Sequence, residues 1–563
     1  MAGALPRNVD VAEQLELLAD LLEIEGEASF RVLAYRRAAM RIRETAGSVA
    51  ELALAGRAKE LQGIGKTIEE KIVQVVEDGE MHALTKRKKI IPPDVVSFMR
   101  LPGLGPKTAA RIWQELGVTT IAELQQAAEQ EQLRTLAGLG AKTEERVLKA
   151  LAEKKQEPSD RRLLGDGLGA LLAVVDVLQE HPAAVKVSEA GSARRRKETF
   201  RDLDIIATAN HPEALIDYFT KLKWVIAVEA KGSTKATVLS NEGLRFDLRV
   251  VPPESYGNLL QHFTGSKDHN VALRERAVKD GLSVSEYSIT VVETGEELKF
   301  EDEEQVYERL GYQFIAPELR ENSGELEAAR KDELPELVEL ADIKGDLHSH
   351  TTYSDGREPL EQMVLAARER GYKYYAVTDH PRGTLAEQDL EIDVLNERLK
   401  PFRILKGIEV NIRIDGSLSL PDEVLAERDW VMASLHAAFD RNPTERVLTA
   451  MENPHVDCIG HLTARKINIR SPANVDIERV VAKALETGTF LEINAQPNRL
   501  DLRDSHARLA GEAGVKIAVN TDAHQLSALQ HMEMGVAQAK RAWLTKDQVL
   551  NTRTWPQIAK LLK

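Results

Sequence analysis

The sequence predicts a multidomain α/β protein, and three observations lead to this fold class. With 563 residues the chain exceeds what one hydrophobic core organises, so several domains are expected. Residues 1–160 space their apolar side chains by three and four positions, as in VAEQLELLADLLEI, which predicts helices. From about residue 166, strand-like runs such as DLDIIATA and LRFDLRVV alternate with helical patterns, which predicts sheets covered by helices.

The composition argues against membrane and secreted proteins. Hydrophobic residues make up 43% of the chain and charged residues 29%, as in an ordinary globular protein. No apolar run approaches the roughly 18 residues that cross a bilayer, and the N-terminus lacks a signal-peptide pattern. The single cysteine, Cys458, lies in an apolar run and is interpreted as a small core residue. We therefore expect a cytoplasmic protein with no membrane partner.

Charge is unevenly distributed along the chain. The net charge of −15 argues mildly against a nucleic-acid partner. However, residues 81–111 contain seven Lys or Arg against one acidic residue, and RRRK at 194–197 forms a second basic cluster. Such clusters are most often solvated surface, so other signals must decide. Residues 316–342 reverse the balance, with nine acidic against three basic residues, and we expect a linker there.

A glycine pattern occurs three times in the first part of the chain. It reads LQGIGKT at 61–67, LPGLGPKT at 101–108 and LAGLGAKT at 136–143, each before a helical pattern. A glycine turn lets a phosphate approach the first amides of the helix. The pattern resembles the helix-hairpin-helix motif, which grips the DNA backbone without reading sequence. One copy would most often be a plain helix connection, but repetition beside a basic cluster favours DNA binding, although the third copy has fewer basic neighbours and is open to a structural role. The candidate DNA-binding glycines are Gly63, Gly65, Gly103 and Gly105.

Three aspartates form a candidate centre for nucleotidyl transfer. Asp202 and Asp204 alternate along one predicted strand, and Asp247 lies on another, so the carboxylates can share one side of a sheet. They would repel each other unless hard cations such as Mg²⁺ lie between them. Two such ions can activate a 3′-hydroxyl and stabilise departing pyrophosphate. A bare Asp-X-Asp is most often a solvated turn, but Gly191 and Ser192 upstream, with Arg195, offer groups for triphosphate oxygens.

These features resemble the family X DNA polymerases over roughly residues 1–315. The resemblance rests on AYRRAA, two glycine hairpins, the Gly-Ser to Asp-X-Asp unit, and LLQHFTGSKDHNVALR at 259–274. It implies that Asp202, Asp204 and Asp247 bind catalytic Mg²⁺ or Mn²⁺, with Asp247 helping to deprotonate the primer hydroxyl. It also implies nucleotide binding by a further set: Gly191, Ser192, Arg195, Phe263, Gly265, Asn270 and Arg274. The partners would be gapped or primer-template DNA and dNTPs.

The chain departs from the family pattern in the nucleotide pocket. His262 stands where vertebrate members carry tyrosine beside the phenylalanine that screens the sugar, so discrimination against ribonucleotides is not carried over. Lys267 and His269 are also expected to alter this pocket.

The N-terminal helical region resembles the family domain that binds the 5′-phosphate of a gap. Lys71 matches the lysine that in some members forms a Schiff base with a deoxyribose phosphate, and Arg31 and Tyr35 match phosphate-site positions. A nucleophilic lysine needs a lowered pKa, which Glu69 and Glu70 would oppose. We therefore favour gap anchoring over lyase chemistry and keep both open.

Histidines concentrate after residue 343, where nine of the fourteen lie. Six of these nine follow predicted strands, as in GDLHSH and VMASLH, at the rim where α/β barrels place their chemistry. One histidine at a strand end is most often a hydrogen-bonded structural residue, but six with three carboxylates indicate a metal cluster. Mixed imidazole and carboxylate ligands suit Zn²⁺, Mn²⁺ or Fe²⁺, and metal-bound hydroxide could hydrolyse a phosphoester.

This region, about 340–563, resembles the PHP (polymerase and histidinol phosphatase) domain, a distorted seven-stranded barrel with up to three metals. The match covers HSHTTYSDG, TDH, GIE, SLH, GH and TDAH. By resemblance, the metals would be held in three groups: His348, His350, Glu409 and Asp522; Glu409, His436 and His461; Asp355, His380 and His524.

The leading hypothesis is a gap-filling repair polymerase with a metal-dependent 3′→5′ exonuclease, with cleavage at abasic sites as a further activity of the barrel. Two alternatives make the barrel a small-molecule phosphatase or an inactive scaffold fused to the polymerase. A DNA-binding module without catalysis would not need the aspartates.

We expect a monomer with these segments: an N-terminal helical domain (1–85), helix-hairpin-helix fingers (86–160), a nucleotidyltransferase palm with a mixed sheet (161–250), a thumb (251–315), an acidic linker (316–341) and a (β/α)7 PHP barrel (342–563).

Overall fold

The structure is a computed structural model, and the chain divides into two compact units, Met1–Pro158 and Ser159–Lys563. It describes residues 5–562 except 7, 28, 46–47, 62, 102–103, 137–138, 154–160 and 382–384. Within those ranges, none of the helices combines the length and apolar character that a bilayer crossing requires.

The first unit is helical throughout its described residues. One continuous hydrophobic core runs from Val11 to Val147, so both segments that we expected as N-terminal and fingers domains contribute to it. Short 3-10 turns connect several of the helices. The α-helices are Asn8–Ile24, Ser29–Glu44, Val49–Leu54, Lys66–Asp78, His82–Lys88, Pro106–Leu116, Ile121–Glu129 and Ala141–Glu153.

The second unit begins with a five-stranded mixed sheet, the palm. In spatial order its strands are Ala184–Glu189, Leu203–Ala209, Arg245–Val251, Lys235–Ser240 and Val225–Lys231. The second and third strands run parallel, and the other neighbours are antiparallel. The helices Leu164–Gln179, Gly191–Arg194 and Pro212–Phe219 accompany the sheet.

The thumb follows, and it includes most of the acidic segment. Its three-stranded antiparallel sheet consists of Leu282–Val284, Ile289–Val291 and Glu297–Leu298. The helices are Tyr256–Thr264, Lys267–Lys279, Glu303–Arg309 and Glu325–Arg330. Leu319, Leu326 and Ala329 belong to the thumb core, so the acidic segment 316–341 is packed and partly helical where we expected only a connection.

A buried ion network joins the palm to the thumb. Glu303, 3% exposed, pairs with Arg320 and, at 2.9 Å, with Arg194 of the palm. Burial acts to raise the pKa of the Glu303 carboxyl, but the two guanidinium groups, Arg320 first, lower it to about 2. The paired charges compensate the loss of hydration that burial imposes on each.

The last region is a barrel of seven parallel strands in sequential order. A bridge between Ser349 and Ala523, supported by the amide of His350 donating to the carbonyl of Ala523 at 2.9 Å, brings the first and last strands together. The strands are Gly345–Asp346, Tyr374–Val377, Arg403–Asn411, Trp430–Ser434, Cys458–Gly460, Phe490–Asn494 and Ile517–Asn520. The helices are Leu360–Glu369, Leu385–Arg398, Asp422–Leu425, Pro443–Met451, Ile477–Thr487, Asp504–Ala513, Met532–Arg541 and Trp555–Ile558. The predicted fold class is confirmed, and Cys458 is a fully buried core residue, as predicted.

The barrel packs directly on the palm. Leu500 and Met534 of the barrel lie in the palm's hydrophobic core. At the same interface, Arg465 of the barrel pairs with Glu198 of the palm, with 3.2 Å between Nη1 and Oε2. The interface therefore combines apolar burial with a paired charge.

We predict that Glu303→Gln lowers the free energy of unfolding by about 3–5 kcal/mol near pH 7, because two buried guanidinium groups lose their anion. The folded-state pKa lies below the ordinary value of 4.5, so this stabilisation is present above about pH 5 and disappears as the pH falls toward 2. Urea denaturation from pH 7 to 3 should therefore show the difference between the two proteins shrinking. The exposed neighbour Glu304 provides the control, Glu304→Gln, which should change stability by less than about 0.5 kcal/mol. An equally stable Glu303→Gln protein at pH 7 would contradict the role given to this pair.

Candidate active sites

The three palm aspartates lie together at one end of two neighbouring strands. Asp204 and Asp247 are partners in the parallel register, and Asp202 precedes the strand that carries Asp204. Arg245 lies between Asp202 and Asp247, with its Nε 3.5 Å from an oxygen of the first and 3.7 Å from an oxygen of the second. The hydroxyl of Thr237 donates to Asp247.

The electrostatics of this cluster suit divalent cations. Burial is the main cause that raises the pKa of Asp204 to about 7, and the carboxylates of Asp247 and Asp202 add to the effect. The pKa of Asp202 is raised as well, again chiefly by burial. One oxygen of Asp202 is buried without a hydrogen-bond partner among the described residues. A cation among these carboxylates would relieve both the repulsion and the lost hydration.

Gly191 has a clear steric reason to be glycine. Its φ is +62°, and a Cβ there would lie 2.0 Å from an Asp204 oxygen. No other residue fits this left-handed conformation at such a short approach. The half-buried Ser192 follows it in the short helix Gly191–Arg194, beside the aspartates.

The predicted nucleotide-binding residues fall into two connected groups. In the first, Arg195 donates to the backbone carbonyl of Thr264, and a Cβ at Gly265 would meet the Arg195 guanidinium at 3.2 Å. Phe263, next in the chain, has the guanidinium of Arg249 over its ring at 4.3 Å from the centroid.

The second group is organised by His262. Asn270 donates to the backbone carbonyl of His262 at 2.7 Å, and Arg274 contacts the imidazole Nδ1 at 2.7 Å. The residue that departs from the family pattern thus holds two of the predicted nucleotide contacts. The expected effect of His269 on the nucleotide pocket stays a prediction and would be indirect. Its imidazole is fully buried in the thumb, 2.6 Å from Glu325 and 2.9 Å from the Tyr307 hydroxyl.

In the first unit, Lys71 and Tyr35 are neighbours, with 5.9 Å between the ammonium and the ring centroid. Burial lowers the pKa of Lys71 and outweighs the opposing effect of Glu70, while Arg87 and Arg31 lower it further. The other expected opponent, Glu69, accepts a hydrogen bond from the amide of Lys59. A cluster of cationic groups around a half-buried lysine suits a phosphate, and the pKa direction is the one that a Schiff base requires.

The candidate DNA-binding glycines lie at helix starts. Gly65 precedes Lys66–Asp78, and Gly105 precedes Pro106–Leu116. A Cβ at Gly63, Gly65 or Gly105 would meet nothing within 4 Å, so these turns are open to a ligand, and Gly63 has a φ of +84°. Gly103 lies outside the described residues.

All nine predicted metal ligands of the barrel converge at the carboxyl ends of its strands. Glu409, 1% exposed, lies at the centre of the cluster. Five imidazole Nε2 atoms surround its carboxylate: those of His348 and His350 at 3.4 Å, His380 at 3.5 Å, His436 at 3.4 Å and His461 at 3.1 Å. One carboxylate therefore contacts five histidines from four different strand ends, which suits a ligand shared between cations.

Two further carboxylates complete the cluster. Asp522 lies 3.3 Å from His350, and Asp355 lies 3.6 Å from His350 and 3.7 Å from His524. Among the described residues, ligand atoms come within 4.8 Å of one another in three groups: His348, His350 and Asp522; His350, Asp355 and His380; His380, Glu409 and His436. These groups differ from the three ligand sets that the resemblance implied. The reason is that His350 belongs to both the first and the second group, and His380 to both the second and the third.

The buried charges in this cluster compensate one another. Burial alone would raise the pKa of the Glu409 carboxyl, but His348 and His436 hold it well below its ordinary value. Burial also opposes a charged His348, yet the surrounding carboxylates, Glu492 first, raise its pKa well above the ordinary range. His350 Nδ1 and His461 Nδ1 are buried without hydrogen-bond partners among the described residues. An ionised carboxylate among imidazoles fits divalent transition metals.

Sequence reasoning missed the carboxylate behind the ligands. Glu492, fully buried on the sixth strand, lies 2.7 Å from His348 Nδ1 and accepts the amide of His461 at 2.7 Å. Asn411 similarly accepts from His436 Nδ1 at 2.6 Å. These contacts fix the imidazole tautomers and turn Nε2 toward the cluster. The available signal was FLEIN at 490–494, an apolar strand that carries a single acid.

Four family models match the chain, two in each unit. They are described as "Helix-hairpin-helix domain" over residues 6–81, "SAM-like Helix-hairpin-helix tandem" over 96–153, "DNA polymerase beta thumb" over 259–321 and "PHP domain" over 346–496. The last two ranges coincide with the region that holds Phe263 to Arg274 and with most of the barrel.

Curated relatives extend the match to the full chain. The chain is 39% identical over 569 residues to a "DNA polymerase/3'-5' exonuclease PolX" of Bacillus subtilis, covering 98% of this chain and 99% of the relative. It is 34% identical over 230 residues to a "Probable phosphatase" of Thermoanaerobacter sp. and 32% identical over 200 residues to one of Acetivibrio thermocellus; these cover only 37% and 32% of this chain. The resemblance inferred from the sequence is confirmed: the chain belongs to the family X DNA polymerases that carry a C-terminal PHP domain.

Proposed function

We propose that this protein fills gaps in DNA during base excision repair and degrades 3′ ends at a separate site in the PHP barrel. The observation that carries the proposal is the presence of two chemically distinct ligand sets: three carboxylates on the palm and a mixed imidazole–carboxylate cluster at the barrel rim. The Bacillus subtilis relative, whose name combines both activities, supports the same division.

In the proposed synthesis site, Asp202, Asp204 and Asp247 would hold Mg²⁺ or Mn²⁺. The bound ions would supply the Lewis acidity that activates the 3′-hydroxyl and stabilises the departing pyrophosphate. Asp247 would accept the proton of the primer hydroxyl, and a triphosphate would be held by the backbone of Gly191, the Ser192 hydroxyl and the Arg195 guanidinium.

The proposed nascent pair would lie against the thumb side of this site. Phe263 and Gly265 would border the sugar, while Asn270 and Arg274 would border the base pair. Both of the latter depend on His262 through contacts of 2.7 Å, so His262 would influence nucleotide selection.

In the proposed exonuclease site, the nine rim residues would hold up to three ions of Mn²⁺, Zn²⁺ or Fe²⁺. The bound ions would supply a hydroxide at neutral pH for attack on the terminal phosphodiester. Glu409 would keep its charge through the five imidazoles, and the buried Glu492 and Asn411 would hold His348 and His436 in the ligating tautomer. The same centre would serve cleavage at abasic sites.

The proposal also covers how the protein holds gapped DNA, its domain limits, its oligomeric state and its location. Lys71, Tyr35 and Arg31 would anchor the 5′-phosphate of the gap, and the glycine turns at 63–65 and 103–105 would hold the backbone on either side. We propose the domain limits given above, except that the acidic segment 316–341 is counted with the thumb. We also propose a monomeric state and a cytoplasmic location, the last because the single cysteine is free and buried.

A barrel that acts as a small-molecule phosphatase is the second candidate, since relatives named "Probable phosphatase" match the barrel. DNA is favoured here because the same chain carries two helix-hairpin-helix matches. Hydrolysis of small phosphate monoesters without degradation of DNA would select the phosphatase, and absence of metal in the purified protein would select a scaffold.

The first prediction separates the two sites. Asp202→Asn with Asp204→Asn should abolish nucleotide addition to a gapped primer and leave 3′-end degradation, because only the palm carboxylates change. His348→Ala with His350→Ala should have the reverse effect, as should chelation that removes only the barrel metals. A gap assay with Mg²⁺ or Mn²⁺, with and without dNTPs, reads both activities. Loss of both activities in either folded double variant would contradict the division.

The second prediction concerns the residue behind the ligands. Glu492→Gln should lower metal affinity and 3′-end degradation by about 10- to 100-fold, because His348 loses its charged acceptor. Metal content measured by mass spectrometry and the degradation rate would test it. Nucleotide addition should be unchanged, since Glu492 lies in the barrel. Full metal content and full degradation in this variant would exclude the orienting role.

The third prediction concerns Lys71. Lys71→Ala should weaken binding to a gap with a 5′-phosphate by about tenfold, while binding to the same gap with a 5′-hydroxyl stays unchanged. The exposed Lys59→Ala variant is the control. Equal weakening on both gaps would rule out anchoring of the phosphate. Borohydride trapping in the parent that disappears in Lys71→Ala would instead assign lyase chemistry to this lysine.

A further inference from the structure

The triphosphate-binding candidate Arg195 is tied to the barrel through a buried chain of charges. Glu321 accepts from Arg195 Nε at 3.0 Å and from Arg541 Nη1 at 3.1 Å. Arg541 belongs to the barrel helix Met532–Arg541, whereas Arg195 belongs to the palm. One carboxylate therefore bridges guanidinium groups from two different parts of the molecule.

Arg541 also holds the backbone of the same palm residue. Its Nη1 donates to the carbonyl oxygen of Arg195 at 2.9 Å, and its Nη2 donates to Asp504 at 2.6 Å. Asp504 starts another barrel helix, Asp504–Ala513, so Arg541 is anchored on the barrel side and reaches across. Both the main chain and, through Glu321, the side chain of Arg195 are thus restrained.

The charges in this chain are fully engaged. Arg541 is 6% exposed. Burial would raise the pKa of Glu321, but Arg541, followed by Lys197 and Arg195, lowers it to about 2, so the bridging carboxylate is ionised at every working pH. The ammonium nitrogen of Lys197 lies 3.3 Å from an oxygen of Glu321. A bridge of this kind has a fixed geometry because charge-assisted bonds between buried groups are strong and directional.

The restraint determines which edge of Arg195 faces a ligand. Nε donates to Glu321 and one Nη1 hydrogen donates to the carbonyl of Thr264, which leaves both Nη2 hydrogens and the second Nη1 hydrogen for phosphate oxygens. Without Arg541, Glu321 would lose a partner, and the Arg195 side chain would gain rotamer freedom that binding must then remove.

We propose that Arg541 of the PHP barrel is a positioning residue for nucleotide binding in the palm, acting through Glu321 on Arg195. The inference rests on the proposed polymerase function. It implies that the barrel contributes to dNTP affinity without contacting the nucleotide.

The same interface offers a matched control. Arg465 is also a barrel arginine, 9% exposed, and it pairs with the palm residue Glu198. Among the described residues, Arg465 bonds to Glu198 and to the carbonyl of Leu500, and not to Arg195 or Glu321. A purely structural role of interdomain ion pairs would make Arg541 and Arg465 equivalent, whereas positioning of Arg195 would distinguish them.

The test compares Arg541→Met and Arg465→Met in the full chain. Arg541→Met should raise the KM and the dissociation constant for dNTP by about tenfold, the value of one charge-assisted hydrogen bond, with a smaller change in kcat. The dissociation constant is measured on a gapped primer that ends in a dideoxynucleotide. Arg465→Met should leave both constants unchanged, and 3′-end degradation should be normal in both variants. Arg541→Lys, which keeps the charge but not the fork, should recover part of the affinity.

A double-variant cycle completes the test. Arg195→Met with Arg541→Met should bind dNTP no more weakly than Arg195→Met alone, because Arg541 acts through Arg195. Additive effects, equal effects of Arg541→Met and Arg465→Met, or an unchanged dNTP affinity in Arg541→Met would overturn the inference. Failure of the proposed function is a different result, namely a wild-type protein that adds no nucleotide to a gapped primer. Thermal melting of each variant shows whether a changed affinity merely follows a loss of folding.

Discussion

The catalytic end of the barrel depends on the interaction between the buried carboxylate of Glu409 and the imidazoles around it. An ionised acid with 1% exposure is tolerated only when nearby positive or metal-bound groups replace its hydration. Five imidazoles at 3.1–3.5 Å meet that requirement, and they come from four strand ends. Parallel strands in sequential order deliver all their carboxyl ends to one rim, so the strand order itself concentrates these residues.

The palm meets a similar electrostatic problem with a different set of groups. Its three carboxylates have no histidine among them, and Arg245 lies at 3.5–3.7 Å from two of them. Oxygen ligands alone suit hard cations, whereas mixed nitrogen and oxygen ligands suit transition metals. The two ligand sets therefore differ in the kind of cation that their donor atoms favour.

The palm loop that we propose to bind the triphosphate is held from two sides through adjacent residues. Arg194 pairs with Glu303 of the thumb, and Arg195 pairs with Glu321, which also contacts the barrel. Because the acidic segment 316–341 is packed into the thumb core, Glu321 is held between these parts. The loop that would receive a triphosphate is thus held by the thumb and by the barrel, so both regions would influence nucleotide binding.

The sequence by itself determined the fold class, the family and the residues that converge at both centres. Apolar spacing reveals helices and strands, and ligand-type residues at strand ends must meet wherever parallel strands share an edge, as His348, His436 and Asp522 do. Tertiary structure alone decided the partners of those residues. Glu492 behind His348, the burial of His269 between Glu325 and Tyr307, and the reach of Arg541 to Arg195 all join positions that no local pattern relates. Such contacts depend on how separate elements pack against one another, and periodicity along the chain carries no information about which distant side chains will face each other across an interface.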